Sequence, residues 1–165
     1  MRILISDDLG ASGIEKLRSV PGFEVDARKK VAPEELFKII KDYDALVIRS
    51  ATKATAELIA AGEKLKVIAR AGIGLDNVDI DAASRRGIVV MNTPDGNVIT
   101  TAEHVIAMML ALSRNIPQAD GSLKANRWEK SRFVGHEVFH KVLGIVGMGK
   151  IGRVVADRAM GLKMN

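Results

Sequence analysis

The run Gly147-Met148-Gly149-Lys150-Ile151-Gly152, directly behind the apolar stretch Leu143-Gly144-Ile145-Val146, constrains the fold of this chain more than any other feature. A G-x-G-x-x-G spacing after a strand and at the opening of a helix is the turn of a dinucleotide-binding βαβ unit. Gly147 allows the tight turn, Gly149 lets the backbone approach a pyrophosphate, and Gly152 lets helix and strand pack closely. The helix that follows, with Ile151, Val154 and Val155 on one face, offers free N–H groups and the positive end of its dipole to phosphates. Such a unit takes about 30 residues and places an acidic ribose-binding residue roughly 20 positions past the glycines. Only Arg153 to Asn165 follow the turn here. The expectation is therefore the incomplete start of a Rossmann unit: a phosphate cradle without its ribose anchor, in a chain that breaks off partway through the site.

Upstream, short apolar runs alternate with helical patterns, which argues for a parallel α/β sheet. Ile3-Leu4-Ile5, Phe23-Glu24-Val25, Ala45 to Ile48, Val67-Ile68-Ala69 and Ile88 to Met91 read as five strands. Between them, Ser12 to Glu15 matches a capping box, Pro33 suits a first helical position, Thr55 and Asp79 read as helix caps, and Gly87 suits a left-handed helix end. The five β/α repeats thus read as one flavodoxin-like domain, and the region after them reads differently. There Thr100 to Glu103 matches another capping box, and the helix it opens is apolar almost all the way round from Val105 to Leu112, so it must be covered on several sides, by a domain or a partner subunit. Val142 to Val146 reads as a strand.

Composition narrows the function classes. The 165 residues carry 25 Lys and Arg against 20 Asp and Glu, a net charge of +5, with both signs interspersed and no basic run of the kind that binds nucleic acid. There is no cysteine, which excludes disulfides and thiolate metal sites. His104, His136 and His140 are isolated and suggest no metal site; His104, on the apolar helix, reads as an interface residue. The first residues do not resemble a signal peptide and no apolar stretch reaches membrane-spanning length, so the default compartment is the cytoplasm.

Two further segments carry chemistry. Arg49-Ser50-Ala51-Thr52 follows the third strand and Arg70-Ala71-Gly72-Ile73-Gly74 follows the fourth. Open parallel sheets bind ligands beyond the carboxyl ends of their strands, and two arginines beside a glycine-rich backbone suit a carboxylate or phosphate. Surface arginines held in salt bridges would look the same in sequence. Ile5-Ser6-Asp7-Asp8 has the acidic strand end of a phosphorelay receiver, but the third strand then needs a phosphate-accepting aspartate where Arg49 stands. Asp7-Asp8 reads instead as the end of a strand and the start of a turn.

Arg49 to Lys53, Ala69 to Asp79, Asn92 to Asn97 with Ala102-Glu103, Asn126 to Glu129 and Leu143 to Gly152 together resemble the D-2-hydroxyacid dehydrogenase family. The resemblance covers essentially the whole chain. It implies a flavodoxin-like substrate domain, whose N-terminal part is residues 1–98, and an inserted Rossmann cofactor domain that begins in residues 99–165. It further implies a small anionic substrate, NAD as cofactor, and a homodimer or higher oligomer formed through the 100–140 region. Arg49, Ser50, Arg70, Gly72 and Gly74 match positions that contact the substrate. Ile73 matches one that also touches the nicotinamide side, and Gly147, Gly149, Lys150, Ile151 and Gly152 match the pyrophosphate turn. His140 stands where relatives often have glycine, which bears on the turn into the strand. The family's catalytic Arg, Glu and His match no residue of this chain, so no catalytic residue is assigned and the chain alone is expected to be inactive. The resemblance leaves open other 2-hydroxyacid dehydrogenases, such as a glyoxylate or hydroxypyruvate reductase, and a non-catalytic NAD-sensing protein on the same scaffold.

Overall fold

The computed structural model describes Met1–Asn165 and divides into two compact units, Met1–Gly96 and Asn97–Asn165. In the first, β1 (Arg2–Ile5), β2 (Glu24–Ala27), β3 (Ala45–Ile48), β4 (Val67–Arg70) and β5 (Val89–Met91) form one sheet of order β2-β1-β3-β4-β5. Every pair is parallel. This is the flavodoxin-like order, with its reversal between β1 and β3. The helices α1 (Ala11–Arg18), α2 (Pro33–Ile39), α3 (Ala56–Ala61) and α4 (Ile80–Arg85) connect the strands.

The central strands β1, β3 and β4 hold their places because most of their side chains are apolar on both faces, as a sheet covered on both sides requires. Leu4, Leu46 and Ile68 are fully buried in adjacent strands and pack with Leu36, Ile40, Leu58, Ile59 and Ala83 from the helices. Local capping agrees with the packing. Thr55 Oγ1 accepts from Leu58 N, Asp79 Oδ1 accepts from Ala82 N, and Pro33 opens α2. Gly87 ends the α4 segment at φ +68°.

A polar cluster ties β2 to α2. Arg28 forms a two-pronged contact with Asp26, at 3.1 Å from Nε and 2.9 Å from Nη2, while Tyr43 Oη donates to the same carboxylate at 2.6 Å. Arg28 Nη1 reaches Glu35 at 2.6 Å. The Arg28 hydrogen bonds, then that of Tyr43, hold the Asp26 carboxyl below its usual range, and the Tyr43 hydroxyl is pushed up, mainly by burial. A carboxyl whose pKa is depressed by folding stabilises the fold above its unfolded value and loses that contribution as pH falls through the folded value. Asp26→Asn is therefore expected to be less stable than wild type at neutral pH, by no more than about 1 kcal/mol for so exposed a pair. The two urea midpoints should converge as the pH drops below about 4. A constant gap across that range would contradict the assignment.

In the second unit, α5 (Val98–Ser113), α6 (Ile116–Lys124) and α7 (Lys150–Gly161) are the helices, and α5 packs along α7. No helix is long and apolar enough to cross a membrane. Both predicted capping boxes are absent. Helix α1 starts at Ala11, where the Gly10 carbonyl already accepts from Gly13 and Ile14, so Ser12 lies inside the first turn. Helix α5 starts at Val98, which with Ala102 makes its buried edge and draws the helix start upstream of Thr100. The apolar girth of α5 is not covered by the rest of its own unit: Val105, Met108 and Leu112 are 43%, 60% and 77% exposed.

The strand expected at Val142–Val146 is also not formed, and Val142 and Val146 stand in solvent. A strand exists only through pairing. Here the pairing with the segment after α7 consists of His140 N on Lys163 O at 3.0 Å, Leu143 N on Asn165 O at 2.8 Å and Asn165 N on Lys141 O at 2.9 Å, the alternation of a parallel ladder that Val142 to Val146 do not extend.

Candidate functional site

Two loops at the carboxyl ends of adjacent strands form the first candidate site. The loop after β3 is built around Asp7, a carboxylate only 4% exposed. Its Oδ2 accepts from Arg49 N at 2.6 Å and Thr52 N at 3.1 Å, and its Oδ1 accepts from the Thr52 hydroxyl at 2.6 Å. From the other side, Asn77 Nδ2 donates to the carbonyls of Arg49 and Thr52 at 2.7 and 2.6 Å. The loop is thus clamped through its backbone, while the Arg49 and Ser50 side chains remain exposed. Arg49 Nη1 donates to the Asp8 carbonyl at 3.0 Å.

The loop after β4 is organised by Arg70. Its side chain is 12% exposed and pairs with Asp76 at 2.9 Å. Its Nε is buried with no acceptor in the chain. Such an orphaned donor is costly to bury, and an anion beside it would satisfy it. Arg70 lies across the glycines: a Cβ on Gly74 would come within 2.7 Å of Asp76 Oδ1 and 2.9 Å of Arg70 Nη1, so any side chain there displaces the ion pair. Asn92 Nδ2 holds the Ile73 carbonyl at 2.7 Å and Thr93 N holds that of Gly72 at 3.0 Å, so the loop after β5 braces this one.

Arg49 and Arg70 therefore sit at the ends of neighbouring strands, with Ile48 in register with Arg70. Arg49 lines a cleft of about 620 Å³ that also takes in Arg18, Arg28 and Lys29, whereas Arg70 is not among its lining residues. Asp7, Asn77 and Asn92, which fix the backbone of the two loops, were not singled out from sequence. Asp7 reads there as a strand end. Its burial follows from the approach of Thr52 from the loop after β3, which no local pattern records.

The second candidate site is the glycine turn. Gly147 adopts φ +99°, a conformation that side chains disfavour. A Cβ on Gly152 would overlap the Gly147 carbonyl oxygen, so the start of α7 lies directly against the turn. Gly149, the N-cap, makes no side-chain cap, and the space where its Cβ would be is open. A tight turn, a close helix and an open backbone face at a helix N-terminus fit the pyrophosphate of a dinucleotide. Upstream, His140 holds φ +57°, the left-handed region that favours glycine, and donates its N–H to the Lys163 carbonyl.

A flavodoxin-like sheet followed by such a glycine turn and helix is the arrangement of an α/β protein with a dinucleotide-binding type of βα turn. Residues 3–158 match the family described as D-isomer specific 2-hydroxyacid dehydrogenase, catalytic domain, and the chain belongs to that family. It is 48% identical over 165 residues to a D-3-phosphoglycerate dehydrogenase of Synechocystis, an alignment covering 99% of this chain and 29% of that protein. Among solved structures, the TT0316 protein from Thermus thermophilus matches with a TM-score of 0.92 and 31% identity, covering 100% of this chain and 54% of the other. The NAD-dependent formate dehydrogenase from Staphylococcus aureus in complex with NAD matches with a TM-score of 0.88 and 28% identity, covering 100% and 55%.

Proposed function

We propose that this chain is the substrate-binding part and the beginning of the NAD-binding part of a dehydrogenase that oxidises 3-phosphoglycerate to 3-phosphohydroxypyruvate, a reaction of serine biosynthesis. The observation that carries the reading is the 48% identity, across nearly the whole chain, to a D-3-phosphoglycerate dehydrogenase. The two arginine loops support it, because a substrate with a carboxylate at one end and a phosphate at the other calls for cations held apart on a rigid edge. In this reading residues 1–98 belong to the substrate domain and residues 99–165 to the cofactor domain.

Arg49 and Ser50 hold one end of the anion from the exposed tip of a backbone-clamped loop. Arg70 presents its buried Nε–H, and the backbone of Gly72 and Gly74 approaches the substrate without side chains in the way. Ile73, within the same loop, would touch the nicotinamide side of the cofactor. Gly147, Gly149, Lys150, Ile151 and Gly152 would hold the pyrophosphate of NAD, which when bound supplies the hydride acceptor. Holding the substrate carbon in one orientation is the contribution of the two loops to the rate. A homodimer would cover Val105, Met108 and Leu112 of α5.

The reading is tested by titrating the isotope-labelled chain with 3-phosphoglycerate and following its amide resonances. Shifts should centre on residues 49–52 and 70–74, and Arg49→Ala or Arg70→Ala should each weaken binding by roughly tenfold, as loss of a charge-assisted hydrogen bond does. Glyoxylate, which lacks the phosphate, should bind more weakly. Equal affinity for glyoxylate, or shifts confined elsewhere, would overturn the proposed substrate. The purified chain alone should produce no NADH from 3-phosphoglycerate.

A further inference from the structure

A second cavity of about 490 Å³ opens between α2, α3 and the loop after β3, distinct from the cleft that Arg49 lines. Its volume is that of a small-molecule pocket. Its floor is apolar and buried, formed by Val31, Leu36 and Leu58, and Phe37 stands half-exposed at its edge. Two lysines, Lys30 and Lys53, line its exposed rim from different loops, and neither is engaged in an ion pair within the chain. No acidic side chain lines it other than Asp7, whose carboxylate oxygens are both occupied by the loop after β3. An apolar floor beneath two unneutralised cations selects a ligand of matching polarity. The geometry points to a binding site for a small amphipathic carboxylate, with its apolar body on the Val31–Leu36–Leu58 floor and its anionic head between Lys30 and Lys53.

The site has a built-in route to the arginine loop. Asp7 and Thr52 line the cavity, and the same Asp7 oxygen that accepts from Thr52 N accepts from Arg49 N. A ligand seated against Thr52 therefore bears on the group that sets the position of Arg49, so occupancy tunes the anion loop without touching Arg49 itself. This route is physical contact through a single carboxylate, and it does not depend on which substrate the arginines take.

The test is a titration of the isotope-labelled 165-residue chain with 2-naphthoate, with the uncharged 2-naphthamide as control. Saturable shifts are expected at Val31, Leu36, Thr52 and Leu58, and through Asp7 at the Arg49 amide. The rim variant Lys30→Ala/Lys53→Ala, altered only at exposed positions, should bind naphthoate roughly fivefold more weakly. Its affinity should fall to that of wild type for the amide. Shifts that centre on Gly10 and Arg28, or on the exposed apolar residues of α5, would place the probe elsewhere and overturn the site. Equal affinity for acid and amide would overturn the role of the lysines. Pocket shifts that leave the Arg49 amide unmoved would overturn the coupling.

Discussion

Replacing Gly152 by valine is expected to abolish dinucleotide binding and to lower the stability of the Asn97–Asn165 unit by at least about 2–3 kcal/mol. A Cβ at this position overlaps the Gly147 carbonyl oxygen, lies 3.3 Å from its carbon and 3.5 Å from Ile145 Cγ2. The obstacle is backbone, and a rotamer change cannot clear it. The turn cannot yield easily either, because Gly147 is already held at φ +99°. Gly149→Ala separates fold from ligand at the same turn. Nothing lies within 4 Å of its added Cβ, so the fold should tolerate it, while the methyl group projects from the face proposed to carry the pyrophosphate. Thermal unfolding should thus rank the chains as wild type close to G149A, with G152V well below. NADH binding followed by fluorescence should fall in both variants. A G149A chain that binds NADH as tightly as wild type would show that the open face is not the cradle.

The contrast between these glycines also shows what a sequence pattern records. Strand β3 falls at Ala45–Ile48 as read, because four apolar residues bounded by polar ones have one place to go in a sheet covered on both sides. The caps at Thr55 and Asp79 were legible because each oxygen meets an amide three residues on, within its own turn. The capping boxes expected at Ser12 and Thr100 do not form, since the same local pattern competes with what lies upstream: a Gly10 carbonyl that accepts the first helical amides in one case, an apolar Val98 in the other. Val142–Val146 has the composition of a strand, but pairing is a property of two segments. In the candidate site, Arg49, Arg70 and the glycines stand out by residue type. What holds them does not: Asp7, Asn77 and Asn92 each act across 19 residues or more on a backbone group of another loop.

Asp7 is where that hidden layer should have its largest effect. Asp7→Ala removes the acceptor of two backbone amides and one hydroxyl at once, in a place where Asp7 and Thr52 are 4% and 7% exposed. Each buried donor left unsatisfied costs about 1–3 kcal/mol, so a loss of about 3 kcal/mol is expected, read as a lower urea midpoint. Asp7→Asn keeps the shape and one oxygen able to accept from Arg49 N and Thr52 N. The Thr52 hydroxyl, 2.9 Å from Ser6 Oγ, can turn its proton to that serine and accept from the new amide instead. The asparagine variant should therefore lose no more than about 1 kcal/mol. If Asp7 acted only as generic filling, the two variants would differ little, since both remove the charge. The functional readout distinguishes a scaffold from a ligand. Asp7 grips the backbone of Arg49 and leaves its guanidinium to the solvent side, so D7A should weaken 3-phosphoglycerate binding as much as Arg49→Ala does. NADH binding by the glycine turn, in the other unit, should be unchanged. A D7A chain that folds and binds 3-phosphoglycerate normally would mean that the arginine finds its place without the clamp.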